Sequence, residues 1–174
     1  MRGEAAQFRG VVERHQRMVF SLALRVTGEY GTAEEVAQDV FLELFKSAER
    51  ISSEEHVRFW LRKVTVYRAT DALRRRAHRP EARAEEWMDE DAAPGEVDGA
   101  AGVGTVLEAR LEELLGSLPE QMRVAVVLRY QEEMLPDEIA KLLGQPVATV
   151  KSNLQRGLKL LRRKAEITMK EYVR

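Results

Sequence analysis

This sequence predicts an all-α protein: two small helical domains joined by a flexible acidic linker, the C-terminal one a helix-turn-helix. Three observations carry the prediction. Apolar residues recur three and four apart along most of the 174 residues, and strand-like alternation is nearly absent. Residues 80–104 break that period with Pro, Gly, Ala and acid. Residues 136–150 then hold two short helical patterns on either side of Gly144. The expected divisions are 5–79, 80–104 and 105–174, each helical block long enough for a modest core.

In the first block, Phe8, Val11/Val12, His15, Val19, Leu22 and Val26 stand near helical spacing, and Gly28 is placed to stop that helix. Thr32 and Glu35 have the T-x-x-E spacing of a capping box. They predict a second helix starting there, with Val36, Val40/Phe41 and Leu44/Phe45 as its apolar stripe. After the loop KSAERISSEE, Ser52 or Ser53 caps a third helix over about 54–76, with Val57, Trp60/Leu61, Val64 and Leu73 facing inward. In the second block, TVLEARLEELLGSL places Val106/Leu107, Leu111 and Leu114/Leu115 on one face. Ser117-Leu118-Pro119-Glu120 predicts another capping box, with Pro at the first position of the next helix.

Bulk properties exclude several function classes. With 44% hydrophobic and 33% charged residues, no cysteine and no long apolar run, a soluble cytoplasmic protein without disulfides, thiolate metal sites or a membrane span is expected. The N-terminus, MRGEAAQFRG, has no signal-peptide core. The histidines, His15, His56 and His78, show no ligand spacing, so neither metal nor cofactor is expected. No nucleophile–base set or phosphate loop points to an enzyme.

Net charge is only −1, but its distribution is uneven. Residues 68–79 carry five arginines against Asp71, residues 81–99 carry eight acids against Arg83, and residues 151–164 carry six cations and no acid. Two basic patches therefore flank an acidic stretch, in which Trp87-Met88 is the one apolar pair.

The stretch PDEIAKLLGQPVATVKSNLQRGLKLLRRK explains the last basic patch. Pro136 suits a first helical turn, Asp137 and Glu138 complement its dipole, and Ile139, Ala140, Leu142 and Leu143 form its buried face. Ala140, Gly144 and Val150 have helix-turn-helix spacing: Ala140 is small under the second helix, and Gly144 tolerates a positive φ. With Val150 and Leu154 inward, Thr149, Lys151, Ser152, Asn153, Gln155, Arg156 and Lys159 are expected on the face that enters a major groove.

DEIAKLLGQPVATVKSNLQRGLKLLR resembles the promoter-reading C-terminal domain of bacterial sigma factors of the sigma-70 family, above all the small extracytoplasmic-function group. LGSLPEQMRVAVVLRYQEEM resembles the helices just upstream, AEEVAQDVFLELFKS the polymerase-binding helix, and VRFWLRKVTVYRATDALRRRAHRP the helix that opens and reads the −10 element. The resemblance runs over essentially the whole chain, in order.

The resemblance implies that Glu35, Gln38, Asp39, Phe41, Leu42 and Glu43 dock on a coiled coil of the large polymerase subunit. It implies that Ser47–His56 and the helix behind it hold a flipped base of the −10 element, with Lys63, Tyr67, Arg68, Asp71, Arg74 and Arg75 as contacts. Phe59 and Trp60 are open to two readings, stacking platform or core. Three positions depart from the family: Tyr67 replaces the usual asparagine, Leu135 the usual capping Ser or Thr, and Asn153 the common arginine.

The function implied is recruitment of core RNA polymerase to promoters and opening of the −10 element, with core polymerase (coiled coil and flap), promoter DNA and an anti-sigma factor as partners. DNA elements two turns apart lie roughly 70 Å apart. A 25-residue tether averages roughly 25–30 Å and extends to about 80–90 Å, so polymerase is expected to hold it open. The alternatives are a stand-alone helix-turn-helix regulator, which leaves the first block without a task, and a helical adaptor that binds no DNA.

Overall fold

The computed structural model describes residues 2–47, 53–78 and 103–172. The described residues fold into seven helices and no strand: α1 (Arg2–Thr27), α2 (Tyr30–Ser47), α3 (Glu54–Ala77), α4 (Val103–Gly116), α5 (Glu120–Tyr130), α6 (Pro136–Leu143) and α7 (Val147–Tyr172). Most of the 80–104 stretch, with Trp87-Met88, lies outside the described residues, as do 48–52 of the base-holding loop. Helix α4 begins at Val103, two residues inside the stretch read as linker.

The first block is a three-helix bundle. Val19, Leu22 and Val26 of α1, Val36, Val40 and Leu44 of α2, and Leu61, Val66 and Ala69 of α3 are buried together, as a three- and four-residue apolar period requires. Gly28 ends α1 at φ 75°, its N–H donating to the Leu24 carbonyl at 2.7 Å. Ser53 caps α3, accepting from the His56 N–H at 3.2 Å.

Two predicted caps are corrected. Helix α2 begins at Tyr30, two residues before Thr32, because the Glu29 carbonyl already accepts from the Ala33 N–H at 3.0 Å. The Thr32 hydroxyl therefore donates to the Glu29 carboxylate instead of capping. Ser117 likewise does not cap α5. Its hydroxyl donates to the Leu114 carbonyl at 2.6 Å, closing α4, and Pro119 stands at the N-cap position without a side-chain cap.

The second block packs α4, α5, α6 and α7. Glycine at 157 is needed for contact between α5 and α7: an added Cβ would lie 3.0 Å from the Val126 Cγ2. The apolar stripe predicted for α4 is covered only at its C-terminal end. Leu115 is buried, whereas Val106, Leu107 and Leu111 are exposed. Phe45 is also corrected: it is 60% exposed, and its ring stands edge-on to that of Phe8 at 5.1 Å.

The two blocks touch. Helix α1 packs on α4 and α5, and α6 packs on α3. This explains the run Val124-Ala125-Val126-Val127-Leu128, which is buried all round instead of on one stripe, because α5 lies between α1, α6 and α7.

Candidate nucleic-acid and polymerase interfaces

The helix-turn-helix has the geometry its spacing predicts. Leu135 offers no cap, and Pro136 opens α6 while the Glu138 carboxylate accepts from the Leu135 N–H at 2.6 Å. Gly144 takes the left-handed conformation at φ 63°, and Gln145 N–H bonds back to the Ala140 carbonyl at 3.0 Å. Ala140 and Val150 are buried where α6 and α7 cross.

On α7, Thr149, Lys151, Gln155, Arg156 and Lys159 are exposed and Ser152 is half-buried, a polar and cationic ridge suited to a groove and its phosphates. Asn153 is not part of that ridge. It is 8% exposed, because it lies three residues after Val150 and four before Gly157 on the side of α7 facing the core. The expected place of Asn153 on the exposed face of α7 is therefore not met.

Along α3, Lys63, Tyr67 and Arg74 stand at i, i+4 and i+11 and are exposed, Tyr67 by 69%. Asp71 pairs with Arg75 at 3.2 Å on the same surface. Arg68 is committed elsewhere: its Nη2 donates to the Glu43 carboxylate of α2 at 2.6 Å and its Nε at 3.2 Å. That bond raises the Arg68 pKa, so its guanidinium is a fixed charge joining α2 and α3. Glu43 accordingly turns toward α3, away from Glu35, Gln38, Asp39 and Leu42, which are exposed on α2. Phe59 and Trp60 are half-buried against the core, and the Lys141 ammonium sits 5.9 Å from the Phe59 ring.

Gln38 and Phe41 line a groove of about 610 Å³ between α1 and α2, floored by Val12, Phe20 and Ala37. A second apolar groove, about 470 Å³, lies among α4, α5 and α7 and is lined by Leu111, Tyr130 and Leu158. Between the blocks is a cavity of about 500 Å³, with Trp60, Lys63, Tyr67 and Arg74 on one wall and Glu120, Leu142 and Gln145 on the other. No cluster able to hold a metal occurs among the described residues, and no described helix is long and apolar enough to cross a membrane.

Sequence reasoning missed three residues that hold the blocks together. Arg62 donates from Nε to Glu132 Oε2 at 2.8 Å and from Nη2 to the Glu132 carbonyl at 3.1 Å. Arg123 donates to the Val26 carbonyl at 2.8 Å, to Gly116 at 2.6 Å and to Leu118 at 3.1 Å. Burial pushes the Arg123 pKa down, yet a guanidinium keeps its charge at any ordinary pH. No short-range pattern links Arg62 to Glu132, 70 residues away.

These features define a class: a helical protein with a cationic three-helix block followed by a helix-turn-helix block. Residues 11–79 match Sigma-70 region 2, and residues 108–161 match Sigma-70, region 4. The chain is 33% identical over 156 residues to the ECF RNA polymerase sigma factor SigE of Mycolicibacterium smegmatis, covering 87% of this chain and 59% of that one. It is 24% identical over 175 residues to the ECF RNA polymerase sigma factor SigW of Bacillus subtilis, covering 93% and 90%. In fold it is similar to the sigma factor RpoE from Bartonella quintana, solved in complex with the anti-sigma factor NepR, with TM-score 0.71, 16% identity and coverage of 92% and 98%. The chain belongs to the sigma-70 family, in its extracytoplasmic-function group.

Proposed function

We propose that this protein binds core RNA polymerase, directs it to promoters with two separated elements, and helps open the −10 element. The observation that carries this reading is the pairing, in one chain, of an exposed cationic helix-turn-helix ridge on α7 with an exposed cationic and aromatic stripe on α3. A duplex grip and a single-strand grip are different tasks: the first needs groove-sized polar side chains, the second a stacking face with cations beside it. Thr149, Lys151, Ser152, Gln155, Arg156 and Lys159 are assigned to the −35 duplex. Lys63, Tyr67, Arg74 and Arg75 are assigned to the −10 strand, and Arg68 and Asp71 hold the local charge pattern.

The α1–α2 groove, with Gln38, Phe41 and exposed Leu42, supports docking of a helical polymerase element across Glu35, Gln38 and Asp39. Glu43 supports α3 through Arg68 and is left out of that docking set. The apolar groove at Leu111, Tyr130 and Leu158 suits the polymerase flap. An anti-sigma factor is the expected inhibitor, by analogy with the NepR complex of the similar protein. The protein acts in the cytoplasm with polymerase and supplies no covalent chemistry of its own.

The test is run-off transcription with core polymerase on a pool of random promoters. Transcripts that depend on the protein, from templates sharing two spaced motifs, are expected, and the −10 motif reports what Tyr67 accepts in place of asparagine. Failure to bind core polymerase would leave a stand-alone DNA-binding regulator.

A further inference from the structure

The cavity of about 500 Å³ between the blocks falls within the roughly 300–1,000 Å³ of small-molecule sites. Helix α3 supplies one wall, with Glu43 of α2, and α5 and α6 supply the other. Val64, Val66, Val124, Leu142 and Leu143 form its apolar lining, and the turn after α6 adds Gln145. Trp60, Lys63 and Tyr67 stand at i, i+3 and i+7, so two aromatic rings and one ammonium share a face of α3.

Two polar groups of the lining have no partner. The Gln145 Oε1 is buried and accepts no hydrogen bond from a described residue. A buried acceptor left unmet carries a desolvation cost that a bound donor removes. The Lys63 ammonium forms no ion pair among the described residues. Both carboxylates of the lining are already taken, Glu43 by Arg68 at 2.6 Å and Glu120 by Arg74 at 3.2 Å. Lys63 is therefore the cation left over.

These groups select by shape and charge together. Aromatic faces favour a planar ring, a free ammonium favours one anionic group, and a free carbonyl oxygen favours an N–H or O–H on the ring edge. An uncharged ring would leave Lys63 unpaired, and an aliphatic acid would leave the aromatic faces uncovered.

We propose that this cavity binds a planar aromatic anion. The ring lies against Trp60 and Tyr67, the anionic group meets Lys63, and a donor on the ring edge meets the Gln145 oxygen. Nucleoside monophosphates and aromatic carboxylates are the two sources of that chemistry. Lys63 and Tyr67 cannot hold such a ligand and a promoter strand at once, so the bound anion competes with the −10 strand. That consequence rests on the promoter reading above; the binding itself does not.

The chain has two tryptophans, so Trp87→Phe leaves Trp60 as the one indole reporter in the full-length protein. Adenosine monophosphate and 4-hydroxybenzoate are titrated against it, beside their uncharged counterparts adenosine and 4-hydroxybenzamide. Saturable quenching of Trp60 is expected with at least one anion, and its counterpart should bind about tenfold more weakly. The tighter anion identifies the source. Lys63→Gln should erase the difference between anion and counterpart, and Gln145→Leu should weaken both, at unchanged helix content by circular dichroism. No saturable quenching by either anion would overturn the proposal. So would equal binding of an anion by the parent and Lys63→Gln.

Run-off transcription with core polymerase then reads the consequence. The anion should lower transcripts from the parent and spare those from Gln145→Leu. Unchanged transcripts beside Lys63-dependent quenching would keep the site and overturn the assignment of Lys63 and Tyr67 to the strand. If the parent without ligand gives no transcripts, the promoter reading fails, and the quenching still decides whether the site exists.

Discussion

At Gly144 the backbone turns through a left-handed φ of 63°, and nothing lies within 4 Å of where a Cβ would be. The constraint is therefore conformational, not steric. Gly144→Ala should cost about 1 kcal/mol, read as a lower thermal midpoint, with helix content preserved. Lys151 and Asn153 are two residues apart on α7 and face opposite ways, so they should separate cleanly by assay. Lys151→Ala should weaken −35 DNA binding across all sequences and reduce the salt slope by about one. Asn153→Ala should leave that slope unchanged and act on thermal stability. A gel-shift series over salt concentration checks both.

Among the elements, α5 and α7 are the pair whose approach is most tightly set. A Cβ at position 157 meets Val126 at 3.0 Å and the Met122 Cβ at 3.4 Å, and both belong to the helix beneath. Gly157→Val should cost about 1–3 kcal/mol by forcing α5 and α7 apart. Chemical denaturation would read it as a lower midpoint at unchanged slope. The exposed half of α4 is the converse case: Val106 and Leu107 are 66% and 69% exposed, and Leu111 lines the apolar groove assigned to the flap. A large exposed apolar stripe is the feature expected of an element that is completed by binding.

Across the whole molecule, Arg123 serves as a hub. Its guanidinium takes carbonyls from the end of α1, the end of α4 and the turn before α5, in each case groups left without a helical partner. Positive charge there also suits the negative C-terminal ends of α1 and α4. Arg123→Met keeps most of the volume and strands three carbonyls, so a loss of at least about 2 kcal/mol is expected in thermal or urea unfolding. Between the blocks, Arg62–Glu132 and Gln131–Ser21 are placed at positions with no local reason to be polar or charged. Their partners come from more than 60 residues away.

Periodicity, glycine placement and charge runs determined the helices, the helix-turn-helix and the exposed cationic ridge on α7, since each depends on residues within a turn or two of one another. The paired helix signatures, in order, also made the family legible. Three kinds of feature were decided only by tertiary structure. The caps at Thr32 and Ser117 had the right residue types, but neighbouring Glu29 and the end of α4 claimed them. Asn153 turned inward because the phase of α7 is fixed by Val150 and Gly157 against the core, not by the polarity of its own side chain. The closure of one block on the other rests on partners so distant in sequence that no local pattern encodes them. The one local trace was the unbroken apolar run of α5, which has no polar face because a second domain covers it.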